Sequence, residues 1–194
     1  KGVPYFIIGG GSNMLVRDEG WRGVAIHIQN SIFQIQDSVV VADAGCVTAQ
    51  VAQKSLKAGL TGFEWGVGVP GTIGGAARGN AGAMGGEMKD VVSEVEVYRN
   101  GEVEKLGNKE CQFDYRDSAF KHGGAFAKAS AGKGGIVLRV WLKLRKSENK
   151  ELMKKALEHI QYRNKTQPAG QSVGCIFKNV EIRKQDTNFK IQTN

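Results

Sequence analysis

The sequence predicts a mixed fold, α+β or mixed α/β, in which strands and helices alternate unevenly. Three observations predict it: short apolar runs near the N-terminus, a hairpin pattern around Asn100-Gly101, and one amphipathic helical pattern in each half of the chain. The 194 residues suffice for one fair-sized domain or two small ones with a real core.

The strands are predicted from apolar runs and from alternation of apolar and polar residues. VPYFIIG, GVAIHI and SVVVADAGC are the first three candidates. VVSEVEVYRNGEVEKL alternates around Asn100-Gly101, the strongest short signal for a hairpin turn. GIVLRVWLKLRK predicts a long strand that presents one apolar face, made of Ile136, Leu138, Val140, Leu142 and Leu144.

Two helices are predicted from apolar residues recurring at helical spacing. The first is TAQVAQKSLKAGL, with Thr48 as its cap and Gly59 near its end. The second is ENKELMKKALEHIQYRN, and a Pro- and Gly-containing loop, TQPAGQSVGCIFKN, follows it and leads into a short strand. We detect no internal repeat.

Composition narrows the class of ligand and the cellular compartment. The net charge of +8 comes from Lys and Arg scattered among acids, without the aromatic-bearing basic stripe of nucleic-acid binders, so small phosphorylated ligands fit better. Three distant cysteines indicate reduced thiols and a cytoplasmic protein. No apolar run approaches the roughly 20 residues of a membrane span, so we expect no membrane association. We assign no metal ligands.

About half of residues 62–87 are Gly or Ala, and Gly66, Gly68 and Gly71 spell G-x-G-x-x-G. A dinucleotide-binding fingerprint follows a strand and opens a helix. Here a predicted helix precedes the motif and Pro70 lies within it. We therefore interpret this match as coincidental.

The glycines nevertheless suit an anion, because bare backbone lets a ligand approach closely. Thr72 stands where a helix could start, and a helix N-terminus offers N–H groups to a phosphate. IIGGGSNMLV places three glycines after a strand, followed by Ser12 and Asn13 as donors. Either loop alone is more often a structural turn, but the two together favour one elongated diphosphate ligand.

Four motifs, GGGSNMLV, GVPGTIGGAARGNAGAMGGE, FDYRDSAFK and TQPAGQSVGCIFKN, resemble in their order the UDP-N-acetylenolpyruvoylglucosamine reductase family. The resemblance implies a two-lobed FAD-binding domain of the PCMH/vanillyl-alcohol-oxidase type plus a smaller α+β substrate-binding domain. It implies non-covalent FAD on both glycine loops, with NADPH as hydride donor. The implied cofactor residues are Gly9, Gly10, Gly11, Ser12, Asn13, Met14, Gly68, Val69, Pro70, Gly71, Thr72, Ile73, Gly74, Gly75, Asn80, Ala81 and Gly82.

The resemblance also implies a reaction and two catalytic residues. The family reduces an enolpyruvyl ether: hydride reaches C3, charge builds at C2 and its carboxylate, and a proton must reach C2. Arg116 matches the family arginine that suits the enolate, although an Arg alone is more often a surface ion pair. Cys175 stands where relatives carry a proton-donating serine or cysteine, and its alternative is a buried structural thiol.

Four further residues are candidates for the UDP-sugar substrate. By resemblance Asn179 contacts it, and Lys178 is its neighbour. Tyr115 either lines the same pocket or only packs, and Lys165 either contacts the diphosphate or is simply solvated. The implied function is the reduction of UDP-N-acetylglucosamine enolpyruvate to UDP-N-acetylmuramate for the bacterial cell wall. The alternatives are another FAD-dependent oxidoreductase of the same superfamily and a non-catalytic nucleotide-binding remnant.

We expect an FAD-binding domain over residues 1–146, with its N-terminal lobe partly missing, and an incomplete substrate-binding domain over 147–194. The family's C-terminal glutamate has no counterpart in this sequence. We also expect a missing segment between about Val180 and Asp186, where neighbouring residues would lie too far apart to be bonded.

Overall fold

The computed structural model describes residues 3–122, 135–147, 151–166 and 178. Its strands are β1 Tyr5–Ile8, β2 Val24–His27, β3 Phe33–Gln36, β4 Val39–Asp43, β5 Leu60–Thr61, β6 Gly82–Ala83, β7 Gly86–Glu87, β8 Val92–Arg99, β9 Glu102–Gly107, β10 Ile136–Lys143 and β11 Arg145–Lys146. Its α-helices are α1 Thr48–Lys57, α2 Ile73–Arg78, α3 Met88–Val91 and α4 Glu151–Thr166, and Glu64–Gly68 forms a 3-10 helix. The predicted mixture of strands and helices is confirmed.

The centre of the fold is a five-stranded antiparallel sheet with the order β3-β4-β10-β8-β9. Strand β10 lies in its middle, which explains the apolar alternation in its sequence. Val140 and Leu142 are fully buried, as predicted, whereas Arg139 and Lys143 are exposed. A register shift between Val137 and Arg139 interrupts the alternation, so Val137 is also buried. Helix α2 packs against this strand.

The hairpin β8–β9 forms where the sequence predicts it. Asn100 and Gly101 have φ values of 54° and 90°, the two positive values that a two-residue type I′ turn requires. A bond between the Arg99 guanidinium and Glu104 closes the end of the hairpin. The residue types at the turn therefore predict this element correctly.

Helix α1 is confirmed in position, but Thr48 is not its cap. Val47 occupies the N-cap position and makes no side-chain capping bond. The Thr48 N–H donates instead to the Gly71 carbonyl at 3.0 Å, so a tertiary contact sets the start of the helix. The apolar face of α1 (Val51, Ala52 and Leu56) is buried, and the helix packs on the 3-10 helix.

The N-terminal strands form a separate two-stranded parallel sheet, in which Tyr5 pairs with Val24 and Ile8 with His27. The third predicted strand corresponds to β4, and the sequence interpretation missed its partner β3. Of the predicted second domain, only residue 147, α4 and residue 178 are described. The predicted loop and strand over 167–179 otherwise lie outside the described residues, as does the expected gap between Val180 and Asp186.

Candidate functional site

The first glycine loop follows β1 and is held at its base by the parallel sheet. The Ile28 N–H donates to the Ile8 carbonyl at 3.0 Å, immediately before the loop. Gly11 has φ +68°, a left-handed conformation that glycine adopts readily. Within the described part of the chain, no hydrogen bond engages the backbone N–H groups of residues 10–12 or the side chains of Ser12 and Asn13. These donors are therefore available to bind a ligand.

The two glycine loops lie directly against one another. A Cβ on Gly9 would collide with the Thr72 hydroxyl, and one on Gly10 would lie 3.4 Å from the Gly71 Cα. A Cβ on Gly71, whose φ is +96°, would lie 2.7 Å from the Ser12 hydroxyl. Side chains at these positions would separate the loops, so the contact between them explains why both are bare backbone. The structure thus brings together the two segments that the sequence assigns to one ligand.

Helix α2 begins where predicted, with Thr72 as N-cap accepting the Gly75 N–H at 3.5 Å. Its other first-turn donors are not free, which corrects the expectation of an open phosphate-binding terminus. The Ile73 N–H donates to the Cys46 carbonyl at 2.8 Å, and the Gly74 N–H to the Ala44 carbonyl at 2.9 Å. Ile73 is also fully buried in the core. The segment after β4 crosses this helix end and uses these donors.

Gly66 and Gly68 belong to the 3-10 helix, so the G-x-G-x-x-G match is not a strand-to-helix turn. A Cβ on Gly66 would lie 2.8 Å from the Phe63 ring, so this glycine serves packing. At the end of that helix Gly68 is half-buried and Val69 is buried, while Pro70 is exposed. Met14, in the first loop, is also exposed.

Arg116 lies in a tight turn and in a left-handed backbone conformation, with φ 53°. Asp114 and Asp117 pair across the turn: the Asp114 N–H donates to the Asp117 carbonyl at 3.1 Å, and the reverse bond measures 3.0 Å. Lys121 Nζ donates to the Arg116 carbonyl at 2.6 Å. A non-glycine residue in this conformation costs about 1–3 kcal/mol and tends to mark functional sites. The turn is therefore held by several contacts despite its strain.

The Arg116 guanidinium binds the segment after α2. Its Nη2 donates to the Gly82 carbonyl at 3.0 Å and its Nη1 to the Asn80 carbonyl at 3.5 Å. Its Cζ lies 5.5 Å from the centre of the Tyr115 ring. A guanidinium has five N–H donors, so these bonds leave donors available to a ligand.

Three further cations lie near this turn. Lys178 Nζ donates to the Tyr115 carbonyl at 3.2 Å, which places one predicted substrate residue beside Tyr115 and Arg116. Burial lowers the pKa of Lys121; Asp117 opposes this effect, while Lys178 and Arg78 lower the pKa further. Burial also lowers the pKa of Arg78, against an opposing effect of Asp117. The arrangement concentrates positive charge and suits an anionic ligand.

Asp117 lies among these cations, and its pKa is lowered. Burial alone would raise the pKa, but the Ser118 N–H and the His122 ring stabilise the carboxylate more strongly. The Ser118 N–H lies 2.9 Å and the His122 Nε2 2.8 Å from the Asp117 carboxylate oxygens. Sequence reasoning did not single out Arg78 or Lys121, because only the tertiary fold brings them together.

Asn80 is one of the implied cofactor residues, and its contact with FAD stays a prediction. The residue is fully buried, and its side-chain bonds are all to protein. Its neighbours Ala81 and Gly82 are half-buried; the Ala81 N–H donates to the Ala76 carbonyl at 2.8 Å, and the Gly82 carbonyl accepts from Arg116. This segment therefore connects α2 to the Arg116 turn.

No contact among the described residues connects the remaining predicted residues, Lys165, Cys175 and Asn179, with the glycine loops or the Arg116 turn. Lys165 is exposed near the end of α4. Cys175 and Asn179 lie outside the described residues, so their roles stay predictions. The other two cysteines, Cys46 and Cys111, are buried free thiols, and burial raises the pKa of Cys111 to about 12.

Among the described residues there is neither a membrane-spanning helix nor a metal-binding cluster. No helix among them is long and apolar enough to span a membrane. Nor does this part of the chain contain a group of three or more His, Cys, Asp or Glu side chains that could hold a metal ion.

Comparison with known proteins supports the flavin interpretation. A family model described as "FAD binding domain" matches residues 1–107. Strand β10 lies beyond this match in the same sheet, while the predicted domain boundary at residue 146 stays a prediction.

Named relatives agree with the family match. A UDP-N-acetylenolpyruvoylglucosamine reductase of Caldanaerobacter subterraneus subsp. tengcongensis is 40% identical over 91% of this chain and 56% of the relative. One from Thermus thermophilus is 36% identical over 91% of this chain and 62% of the relative. A crystal structure of this reductase from Thermus caldophilus superimposes with a TM-score of 0.77 at 35% identity, covering 92% and 62% of the two chains. The chain thus spans less than two thirds of the length of these relatives.

Proposed function

Since the chain belongs to the FAD-binding domain family, we propose that it acts in the NADPH-dependent, FAD-mediated reduction of UDP-N-acetylglucosamine enolpyruvate to UDP-N-acetylmuramate. The observation that carries the proposal is the mutual approach of the Gly9–Ser12 and Gly71–Thr72 backbones, where a Cβ on Gly9 or Gly71 would collide with a hydroxyl of the facing loop. The reductases similar to this chain are named for an enolpyruvyl UDP-sugar. A cytoplasmic location follows from this role in cell-wall precursor synthesis.

The residues present fit FAD. The unengaged N–H groups of residues 10–12 would bind its pyrophosphate, and the bare Gly71 backbone would allow it to lie close. Bound FAD supplies hydride chemistry between NADPH and the enolpyruvyl group. We do not assign contacts to the buried side chains of Ile73 and Asn80.

The protein's own residues handle charge and protons. The Arg116 guanidinium, fixed by the Gly82 carbonyl, would bind the substrate carboxylate as negative charge develops there. Lys178, beside Tyr115, would add to the attraction for the anionic substrate. Cys175 would donate the proton to C2.

A single added methyl group tests the cofactor site. Gly75 is an exposed residue of α2, and a Cβ there would meet only the Thr72 hydroxyl at an ordinary 3.5 Å. Gly75→Ala should raise the stability of the flavin-free protein by about 0.5–1 kcal/mol, because alanine favours a helix. Because Gly75 is one of the implied cofactor residues, the added methyl group should displace FAD from this exposed position. A displaced ligand contact costs about 1–3 kcal/mol, so FAD binding should weaken about tenfold.

The measurement is an FAD titration with a thermal melt of the flavin-free protein. The matched control is Gly79→Ala at the other end of α2, where a Cβ lies 3.5 Å from the Gly75 carbonyl and FAD affinity should not change. The parent protein should bind FAD and release it on acid precipitation, because the attachment is non-covalent. A parent protein that binds no FAD would overturn the proposed function, and equal affinities for all three proteins would overturn the placement of the site.

A further inference from the structure

Asn80 is a fully buried asparagine in a left-handed conformation, with φ 41°, two residues after α2. Every polar group of its side chain is used. Its Nδ2 donates to Glu87 Oε2 at 2.6 Å and to the Asp114 carbonyl at 2.9 Å, and its Oδ1 accepts the Lys89 N–H at 3.0 Å. A buried amide with all its bonds made fixes the elements that it joins.

Asn80 contacts the Arg116 turn at two points. Its side chain binds the carbonyl of Asp114, the residue that opens the turn. Its own carbonyl accepts from Arg116 Nη1 at 3.5 Å, next to the Gly82 carbonyl that accepts from Nη2. One residue thus holds both the backbone that carries Arg116 and its charged group.

The turn needs this support because Arg116 is strained. A left-handed arginine persists only where neighbouring contacts impose it. Without the Asn80 amide, the Asp114 carbonyl and the Glu87 carboxylate would each lose a close donor. The turn would then keep its internal Asp114–Asp117 pair and the bonds of Arg116 to Lys121 and Gly82, but it would lose its link to Asn80, and we expect the guanidinium to shift.

We propose that Asn80 is the positioning residue for Arg116, and that it acts through Arg116 and not through the flavin. This inference rests on the proposed function, because it takes Arg116 to act on the substrate carboxylate. Two variants test it. Asn80→Asp keeps the shape of the side chain but places a carboxylate against Glu87, and Asn80→Gly keeps the backbone conformation and removes the amide.

The experiment follows the flavin absorbance of FAD-loaded protein in two steps. NADPH first bleaches the flavin, and the enolpyruvyl UDP-sugar then restores its colour. Both Asn80 variants should slow the second step about 10- to 100-fold, as misplacement of a reacting group by about 1 Å does. FAD affinity and the bleaching rate should stay within about twofold of the parent values, since neither depends on Arg116.

The matched control is Asn108→Asp. The Asn108 Nδ2 also binds two carbonyls, those of Lys89 at 3.0 Å and Val92 at 2.7 Å, but the residue does not contact the turn. This variant should change the melting temperature without selectively slowing the second step.

A double-variant cycle distinguishes positioning from a general structural role. Asn80→Gly added to Arg116→Gly should cause no further slowing of the second step, because the target of Asn80 is already gone. Additive losses, or equal slowing of both steps by the Asn80 variants, would overturn the inference. A parent protein whose colour the substrate does not restore would instead overturn the proposed function, and the inference with it.

Discussion

Arg116→Gly is expected to lower turnover about 10²- to 10³-fold, the typical cost of removing one donor to a developing negative charge. The fold should survive the change, because glycine accepts the φ of 53° that strains the arginine. Arg116→Ala should lose as much activity and be about 1–2 kcal/mol less stable than Arg116→Gly, since alanine retains the left-handed penalty. Both variants should therefore lose activity equally, whereas only Arg116→Ala should carry the stability penalty.

Steady-state turnover and thermal melts of the variants check this prediction. Arg116→Lys should also be impaired, because an ammonium cannot bind a carboxylate bidentately while holding the Gly82 carbonyl. The matched control is Asn100→Gly, at an exposed hairpin position with a φ of 54°. Glycine relieves the same left-handed strain there, and turnover should stay unchanged. If Arg116→Gly kept more than about a tenth of parental turnover, the arginine would not serve the enolate.

Cys175→Ala should separate the two halves of the reaction. Bleaching by NADPH needs no proton at C2, so its rate should be unchanged. Product formation should fall about 10²- to 10⁴-fold, the usual cost of losing a placed general acid. Cys175→Ser should retain much more activity, because a hydroxyl can also donate a proton.

Rapid mixing with each substrate in turn measures the two halves separately. The control is Cys111→Ala: this thiol is fully buried and donates to the Gly107 carbonyl at 3.3 Å. Because burial raises its pKa to about 12, it stays protonated at neutral pH. Cys111→Ala should change the melting temperature, but it should not slow product formation relative to the bleaching by NADPH. Normal product formation by Cys175→Ala would make Cys175 a structural thiol.

Sequence reasoning succeeded where local chemistry decides the structure. Asn100-Gly101 adopts the turn that its residue types favour, and Thr72 caps α2 through its own hydroxyl. Apolar and polar residues also alternate over Phe33–Gln36, which is a local signal for β3 that the sequence interpretation does not use. Both glycine loops were correctly paired from composition and order, although their contact depends on the fold.

The errors arose where distant segments compete for the same backbone groups. The sequence predicts Thr48 as the cap of α1. In the structure Thr48 lies inside the helix, and its N–H donates to the Gly71 carbonyl. The donors at the start of α2 were expected to be free, but Ala44 and Cys46 accept two of them. The hydrogen bond between Asn80 and Asp114 is equally hidden, because the two residues lie 34 positions apart in sequence. A single sequence contains no local signal for such contacts.

The most direct measurement of the central claim is the absorbance of the FAD-loaded protein under anaerobic conditions. Addition of NADPH should bleach the flavin band, and subsequent addition of UDP-N-acetylglucosamine enolpyruvate should restore it with formation of UDP-N-acetylmuramate. UDP-N-acetylglucosamine, which lacks the enolpyruvyl group, should leave the band bleached. A flavin that bleaches but regains no colour with the enolpyruvyl substrate would contradict the proposed reduction.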